Sequence, residues 1–535
     1  MSTLQLIGGG FATVLTPTGM FLMLIGVAVG IVFGALPGLS ATMAIALFLP
    51  VTYAMTSSNA MTLLMALFIG AISGGLISAI LLRIPGTPSS VATCFDGHPL
   101  VKKGQAAKAL GVGVVFSFLG TIFSTLLLMF IAPQIARAAI NFGNFEFFSI
   151  AIFSLTMIAT LSSGNMVKGI MAGVIGFMFS TVGTDAIEGT ARFTFGQTAL
   201  KGGFDMLAVM VGLFAVGEII SAAETSRHND EEVIQPSMKG VKGFGFTMKE
   251  FWEQGWNALR SALIGMGIGI LPGIGGGTSN VLAYTVAKNA DKRADELGPL
   301  GTGRIDGVVA SETANNATIG GAMVPLLTLG IPGDTTTAML LGALTLHGLT
   351  PGPLLFQNQA DVVYGIFAAM LIASVIMLFM EFFGLRIFVK LLSIPKYILL
   401  PCVFVLCTIG AYALKNNMSQ VIACLVFGAL GFAFKKLEIP STPFILGFIL
   451  GPIGGGQLPP RHDPDKRRFH AVPDQSHQCP FPGDRRGRSA CLCDQTPSSE
   501  TQINGKINQD RALPDRDKAV ILKSDKNNVQ GRCCR

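Results

Sequence analysis

The chain alternates between long apolar stretches and short polar segments, a pattern typical of proteins that cross a membrane many times. About 20 helical residues cross one bilayer, so several stretches have the length of single spans and the longest suit broken hairpins. We therefore predict an all-α polytopic integral membrane protein with about 11 to 12 transmembrane or re-entrant helical segments. The apolar stretches are residues 19–50, 60–82, 107–132, 145–161, 166–183, 204–223, 258–287, 315–346, 362–385, 396–414, 419–434 and 440–453.

A proline-glycine break occurs twice in each half of the chain, in the same order and in similar surroundings. Such breaks are costly at membrane depth, because the N–H and C=O groups they expose find no water there. They persist where protein or an aqueous cavity supplies partners, and matching breaks in two halves predict the binding site of a secondary carrier. The matching breaks are Pro37-Gly38 with Pro272-Gly273, and Pro85-Gly86 with Pro332-Gly333.

Composition supports a membrane protein and argues against several other classes. Half of the residues are hydrophobic, 13% are charged, mean hydropathy is +0.58, and the 65 glycines are spread through the apolar stretches. A soluble chain of this size carries far more charge. No phosphate-binding loop, nucleophile elbow or paired CxxC motif occurs, so we predict no enzyme activity, no cofactor and no structural metal. The net charge of +7 does not indicate a nucleic-acid-binding surface.

The loops that follow equivalent breaks differ in charge between the two halves. The loop at residues 101–108 carries three lysines, whereas the equivalent loop at residues 352–360 contains no Lys or Arg. Cytoplasmic loops gather basic residues, so the two repeats are predicted to be inverted relative to each other in the membrane. The predicted domains are the membrane repeats 1–223 and 258–453, joined by a cytoplasmic amphipathic connector, residues 224–257.

Small polar residues gather beside every break. N–H groups at the start of the second helix piece favour a carboxylate, and hydroxyl or amide side chains complete its shell. The alternative for each of these residues is that it only lets helices pack closely. We predict a substrate site formed by Gly38, Ser40, Thr42, Arg83, Pro85, Gly86, Thr87, Ser89, Ser90, Gly273, Thr278, Ser279, Asn280, Pro332, Gly333, Thr335 and Thr336.

Glu312 is an ionisable residue in an otherwise apolar region, and such residues in membrane segments often serve function. Asn315 and Asn316 follow it by three and four residues, which places all three on one face of a helix. A carboxylate with two amide oxygens suits a sodium ion, or a proton relay. The alternative is a structural salt bridge between Glu312 and Arg304 or another base.

Two charged residues lie directly beside breaks, and each has two interpretations. Asp334 either coordinates the coupling cation or caps the helix that follows it. Arg83 either clamps a substrate carboxylate or extends its side chain to the membrane interface. The predicted ion-coupling residues are therefore Glu312, Asn315, Asn316 and Asp334.

These segments resemble the large membrane subunit of the tripartite tricarboxylate transporter family. The resemblance extends from about Met1 to Pro452, and the motifs that carry it are FGALPGLSAT, LLRIPGTPSS, GILPGIGGGTSN and LGIPGDTTT. It implies a partner membrane subunit of about four helices and a periplasmic solute-binding protein that delivers a carboxylate such as citrate. It also implies uptake across the bacterial inner membrane, driven by a Na⁺ or H⁺ gradient and not by ATP.

A membrane channel or a scaffold subunit is the alternative function. Broken helices also line pores, and small residues beside them also pack subunits together. The paired breaks therefore indicate a membrane site in either case, and carrier activity is the interpretation that the resemblance favours.

The chain departs from the family pattern after Pro452. The resemblance implies one more hydrophobic helix, whereas residues 454–535 are polar, proline-rich and without helical or strand periodicity. Read one base later, codons permitted for this segment encode an apolar run over residues 480–493. We therefore expect the tail to be disordered and to be the product of a frameshift, which resequencing codons 450–462 tests.

Overall fold

The structure is a computed structural model, and nearly all of the residues it describes lie in helices. Those strands that occur in the described residues form one short antiparallel hairpin, β1 (Gly183–Thr184) with β2 (Ala191–Arg192). The predicted all-α polytopic membrane fold is confirmed. The described residues are 3–143, 166–185, 189–225, 244–391, 396–413 and 416–457, with a few positions between 144 and 165.

In the first half, helices end before the predicted breaks and new helical segments begin after them, because proline lacks the N–H that a helix interior needs. A three-residue 3₁₀ turn, Pro88–Ser90, lies just after the second break, and another, Thr198–Leu200, follows β2. The last helix of this half contains a π-helical stretch, Val211–Val216, between α8 and α9. The helices are α1 (Thr3–Val14), α2 (Pro17–Ala35), α3 (Ala41–Thr52), α4 (Ser57–Leu82), α5 (Thr93–Lys102), α6 (Ala106–Ala139), α7 (Met166–Ser180), α8 (Met206–Met210) and α9 (Gly217–Thr225).

The second half repeats this order of helices and breaks. Its helices are α10 (Met248–Glu253), α11 (Gly255–Ile270), α12 (Gly275–Asn289), α13 (Ala294–Leu297), α14 (Ile305–Leu329), α15 (Thr335–Leu346), α16 (Leu355–Asn358), α17 (Ala360–Leu391), α18 (Lys396–Ala413), α19 (Met418–Lys436) and α20 (Ser441–Gln457). The apolar stretch predicted to begin at 315 belongs to a helix that begins at Ile305. Hydropathy placed that boundary too late, because the polar side chains around Glu312 are buried inside the protein and do not mark a loop.

Two equivalent helices form the centre of the protein. α4 is buried at every position from Ala60 to Leu81, and α14 at every position from Gly307 to Thr328. Each is the helix that precedes the second break of its repeat. α2 packs against α4 and α11 packs against α14, so both repeats build the same pair of helices.

The next long helix of each repeat packs against the central helix of the other repeat. α6 of the first repeat packs mainly against α14 of the second, and α17 of the second repeat packs against α4 of the first. The helix pieces that follow the breaks also cross over, since α3 contacts α15 and α12 contacts the 3₁₀ turn Pro88–Ser90. The two repeats therefore share one core. The contacts that the first repeat makes with the second have equivalents in the contacts that the second makes with the first.

Long apolar helices make this a multi-pass membrane protein. Within the described residues, six helices are long and apolar enough to span a bilayer, and four shorter helices are also apolar. Outward positions on them are apolar too, as at Phe130 and Phe383, which suits contact with lipid. The six are Pro17–Ala35, Ser57–Leu82, Ala106–Ala139, Met206–Glu224, Ala360–Gly384 and Met418–Lys436.

Part of the predicted connector is described, and it is amphipathic. α10 begins with a capping box between Thr247 and Glu250, and Trp252 and Trp256 are each 72% exposed just beyond it. Exposed tryptophans beside charged residues are typical of a segment at the membrane interface. The rest of the connector, most of the predicted span at 145–161 and the tail from 458 onward lie outside the described residues, so the predicted domain boundaries stay predictions.

Candidate functional site: a cavity at the paired breaks

The first break of each repeat has the same backbone geometry. α2 ends before Pro37-Gly38 and α11 ends before Pro272-Gly273. Gly38 has a φ of +93° and Gly273 a φ of +80°, a region that side chains with a Cβ rarely occupy. In the first repeat the next helix then starts at once, because the Ser40 hydroxyl accepts a hydrogen bond from the N–H of Met43 at 3.2 Å.

The second break of each repeat is followed by an equivalent cap. Thr87 and Ser90 form a capping box in the first repeat, and Asp334 and Thr337 form one in the second. Asp334 accepts a 2.7 Å hydrogen bond from the N–H of Thr337. Of the two interpretations of Asp334, the structure therefore supports the cap directly, and the cation role stays a prediction.

Glycines at the two breaks of a repeat lie against each other. A Cβ on Gly86 would stand 2.1 Å from the carbonyl oxygen of Gly34, and a Cβ on Gly333 would stand 2.8 Å from that of Gly269. In the second repeat the N–H of Gly273 also donates to the carbonyl of Gly333 at 2.7 Å. Both break pairs therefore depend on backbone contact that a larger residue would prevent.

One cavity of about 580 Å³, a volume that suits a small organic ligand, lies where the helix pieces after all four breaks begin. Three breaks line it with a glycine of the break and with nearby residues, and the fourth, Pro332-Gly333, lines it through the polar residues that follow the break. The predicted substrate-site and ion-coupling residues that line it are Gly38, Ser40, Thr42, Pro85, Gly86, Thr87, Ser89, Gly273, Thr278, Asp334, Thr335 and Thr336.

Hydroxyl groups join the two repeats across this cavity. The Thr42 hydroxyl at the start of α3 lies 3.1 Å from that of Thr335 and 3.0 Å from that of Thr336. In the equivalent contact, Gly276 at the start of α12 in the second repeat lies against Ser89 of the first. A Cβ added to Gly276 would stand 2.9 Å from the Cβ of Ser89. The N-terminal ends of helix pieces from both repeats thus surround one space.

Other predicted site residues lie outside the cavity lining. Arg83 ends α4 in a left-handed conformation with an exposed side chain, and it is not part of the cavity lining. Ser279 shares a 2.6 Å hydrogen bond with Thr318, and the Asn280 amide donates to the carbonyl of Ser89. The remaining residues of this group are Ser90, Pro332, Gly333, Glu312, Asn315 and Asn316.

Glu312 lies inside the protein and accepts hydrogen bonds from two other helices. Its carboxylate accepts from the Thr93 hydroxyl on α5, from the Ser117 hydroxyl on α6 at 3.0 Å, and from the Asn316 amide at 3.3 Å. The side chain has no exposed surface. Donors from both repeats therefore converge on this carboxylate.

Two amide oxygens on the helix of Glu312 are buried and have no hydrogen-bond partner among the described residues. They are the Oδ1 atoms of Asn315 and Asn316. A Cβ on Gly276, which lines the cavity, would lie 2.8 Å from the Asn315 oxygen, so that oxygen stands directly behind the cavity wall. Buried acceptors normally have partners, and a cation or its water would supply one here.

The alternative salt bridge between Glu312 and Arg304 is wrong. Arg304 forms ion pairs with Asp291 and Asp306 at the start of α14. No base pairs with Glu312 in the described part of the chain, where its hydrogen-bond partners are neutral.

Sequence reasoning missed two charged residues of the cavity. Lys435 at the end of α19 and Glu218 in α9 both line it, and they form a 2.7 Å ion pair. Lys435 was visible as a basic residue at a helix end, but its distance along the chain from every break concealed its position. It is the basic side chain that the structure brings to the cavity, in the place predicted for Arg83.

Comparison with known proteins gives a family and uncharacterized relatives. Residues 20–446 match the model of the family described as "Tripartite tricarboxylate transporter TctA family". An uncharacterized 52.8 kDa protein in the TAR-I ttuC' 3'region of Agrobacterium vitis is 35% identical over 83% of this chain and 87% of its own length. A protein in the TAR-II ttuC' 3'region of the same organism is 37% identical over 35% of this chain and 76% of its own length. No solved structure matches.

Proposed function

The chain belongs to the tripartite tricarboxylate transporter TctA family, and on that premise we propose that it is the large membrane subunit of a secondary carrier for small carboxylates. Citrate is the model substrate, and the membrane is the bacterial inner membrane. The observation that carries this proposal is one cavity lined by residues at or directly after all four breaks. Broken helices at a shared site are typical of carriers that expose the site alternately to the two sides.

The cavity has the chemistry to bind a carboxylate. α3 and α15 are each 12 residues long, and both begin at its wall, so their helix dipoles favour negative charge there. Hydroxyl groups of Ser40, Thr42 and Thr336 supply further donors. Lys435 supplies positive charge when the substrate competes with Glu218 for it.

Glu312 and the amide oxygens beside it are proposed to hold the coupling ion, Na⁺ or H⁺. A carboxylate with converging donors and unpartnered amide oxygens provides oxygen ligands for a cation. Asn315 links this group to the cavity, because its side chain lies against Gly276. Ion binding would thus change the wall that the substrate touches.

The proposed transport cycle uses the inverted repeats and their partners. Equivalent helices pack in equivalent ways, so exchanging the two repeat conformations would open the cavity to the opposite side. The small membrane subunit would cover part of the exposed apolar surface, for example on α7 around Ile170 and Val174. The periplasmic solute-binding protein would deliver the carboxylate.

The experiment that tests the proposal compares Glu312→Gln with the wild type in citrate uptake at varied Na⁺ and H⁺ gradients. We expect the variant to lose or alter its ion dependence, because the amide lacks the charge that binds a cation. The matched control is Glu296→Gln, which changes an exposed glutamate on α13 and should leave the ion dependence intact. Unchanged ion dependence in Glu312→Gln would remove Glu312 from the coupling site.

A further inference from the structure

Glu381 is a second buried carboxylate, within the most apolar of the candidate membrane spans. The segment Ala360–Gly384 of α17 has a mean hydropathy of 2.6. Phe379 and Phe383 on this helix are 55% and 73% exposed, whereas Glu381 is fully buried. The carboxylate therefore points into the protein and not toward lipid.

One oxygen of Glu381 has a partner and the other does not. Oε2 accepts a 2.8 Å hydrogen bond from the hydroxyl of Ser73 on α4. Oε1 is buried and has no hydrogen-bond partner within the part of the chain that the structure describes. An ionised carboxylate in apolar surroundings costs several kcal/mol unless it is paired, so this arrangement favours a group that carries a proton.

Among the side chains that the structure describes, those on the elements packed around Glu381 offer it no positive charge. α1, α2, α4 and α16 pack against α17 and contain no charged residue. On α6, Lys108 is paired with Glu250, and Arg137 lies exposed at the far end of the helix. On α17 itself Asp361 is exposed, and the side chains of Arg386 and Lys390 lie outside the described residues.

Glu312 and Glu381 are both fully buried carboxylates, one on α14 and the other on α17. The two sites differ in what they bind best. Glu312 has three side-chain donors and unpartnered amide oxygens nearby, whereas Glu381 has one serine. A metal cation needs several oxygen ligands, so the smaller set suits a proton.

We propose that Glu381 and Ser73 form a proton-binding site, separated from the cavity by helix α4. The neighbouring residue Ile72 lines the cavity, and Gly75 packs against Thr87 at the break, while Ser73 faces α17. The proton comes from bulk water and binds to a carboxylate oxygen of Glu381. Its role in transport rests on the proposed carrier function: a neutral Glu381 lets α4 and α17 stay packed, and release of the proton favours their separation.

Infrared difference spectroscopy of the purified chain between pH about 5 and about 9 tests the site without any substrate. We expect a carbonyl stretch from a protonated carboxyl group that is lost in Glu381→Gln. Ser73→Ala should shift this band, because it removes the hydrogen bond. Ser374→Ala is the matched control, since Ser374 is also buried but donates to Met370 of its own helix, and it should leave the band unchanged.

A protonated-carboxyl band with the wild-type intensity in Glu381→Gln, or with the wild-type frequency in Ser73→Ala, would overturn the proposal. If Glu381→Gln does not fold, the Ser73→Ala shift decides. A second arm measures labelled citrate: Glu381→Gln should lower proton-driven accumulation by about tenfold or more and retain exchange. Loss of both accumulation and exchange in the variant would contradict the proposed role in transport. Absence of transport in the wild type would refute the carrier function but would not affect the spectroscopic result.

Discussion

The two repeats share their backbone design and differ in the chemistry of their central helix. α4 and α14 are both buried along their length, and both lead to a proline-glycine break with a capping box behind it. At the same distance before the break proline where α14 has Glu312, α4 has Met65. Asn315 and Asn316 likewise correspond to Phe68 and Ile69.

This difference separates two tasks. The breaks, the tight glycines and the helix starts occur in both repeats, so the cavity between them is built from equivalent parts of each repeat. The polar centre occurs in one repeat, and α6 of the other repeat completes it through Ser117. We infer that the duplicated geometry serves the carboxylate and the conformational change, and that the unduplicated polar residues serve the ion.

The largest expected effect comes from breaking what the repeats share. Gly34→Ala would place a Cβ 2.1 Å from the carbonyl oxygen of Ala71, and Gly269→Ala would place one 2.7 Å from that of Thr318. Both should destabilise the protein by roughly 1–3 kcal/mol or more, and Gly34→Ala should be the worse. Thermal unfolding in one detergent measures this. Gly267→Ala meets nothing within 4 Å and is the control; equal melting temperatures for Gly34→Ala and Gly267→Ala would contradict the shared packing.

Substitution at equivalent central positions tests what the repeats do not share. Asn316→Leu removes the amide that bonds to Glu312 and to Ser117, and should abolish or alter the ion dependence of citrate uptake. Ile69→Leu changes the equivalent residue of α4 and should cost less than about 1.5 kcal/mol, with unchanged ion dependence. Similar uptake profiles for the two variants would show that the asymmetry carries no function.

Adjacent glycines of α12 test the link between the cavity and the polar centre. Gly276→Ala forces its Cβ onto Asn315 and Ser89, and should reduce uptake about tenfold, which corresponds to about 1.4 kcal/mol. Gly277→Ala makes an ordinary contact at 3.4 Å with the carbonyl of Pro88 and should retain uptake. Initial rates of labelled citrate uptake measure both. Loss of activity in both variants would indicate that any added bulk at the cavity is harmful.

The smallest expected effect concerns Glu250, outside the membrane, where it pairs with Lys108 of the first repeat. Burial raises the pKa of Glu250, but hydrogen bonds from Lys108 and Thr247 outweigh it and hold the pKa below its ordinary value. The stabilisation is therefore present at neutral pH and lost as pH falls through the lowered pKa. Glu250→Gln should cost less than about 1 kcal/mol at pH 7. Melting temperatures that differ equally at pH 7 and in strong acid would contradict this.

The breaks could be predicted from the sequence because their signals are local. Proline, glycine and the caps that follow them act within a few residues, so α2 and α14 end, and α3 and α15 begin, beside the breaks as expected. Most of the predicted polar residues at the helix starts line the cavity, whereas Arg83, Ser90, Ser279 and Asn280 do not. Whether these residues bind a substrate is the part that the proposed experiments decide.

Partners that are distant in the chain could not be predicted. Ser73 and Glu381 are 308 positions apart, and Lys435 reaches the cavity from a helix with no break. A lone glutamate in an apolar run was the available signal for Glu381, but nothing local identifies the serine that binds it. The contact between Gly276 and Asn315 likewise depends on how two repeats pack, which no periodicity encodes.

Counterflow of labelled citrate tests the central claim most directly. Proteoliposomes would contain the chain with the proposed partner membrane subunit, with the proposed solute-binding protein outside, and with or without unlabelled citrate inside. A carrier whose cavity opens alternately to the two sides predicts transient accumulation of label that depends on internal citrate. Entry of label at the same rate with and without internal citrate would indicate a channel and would contradict the account.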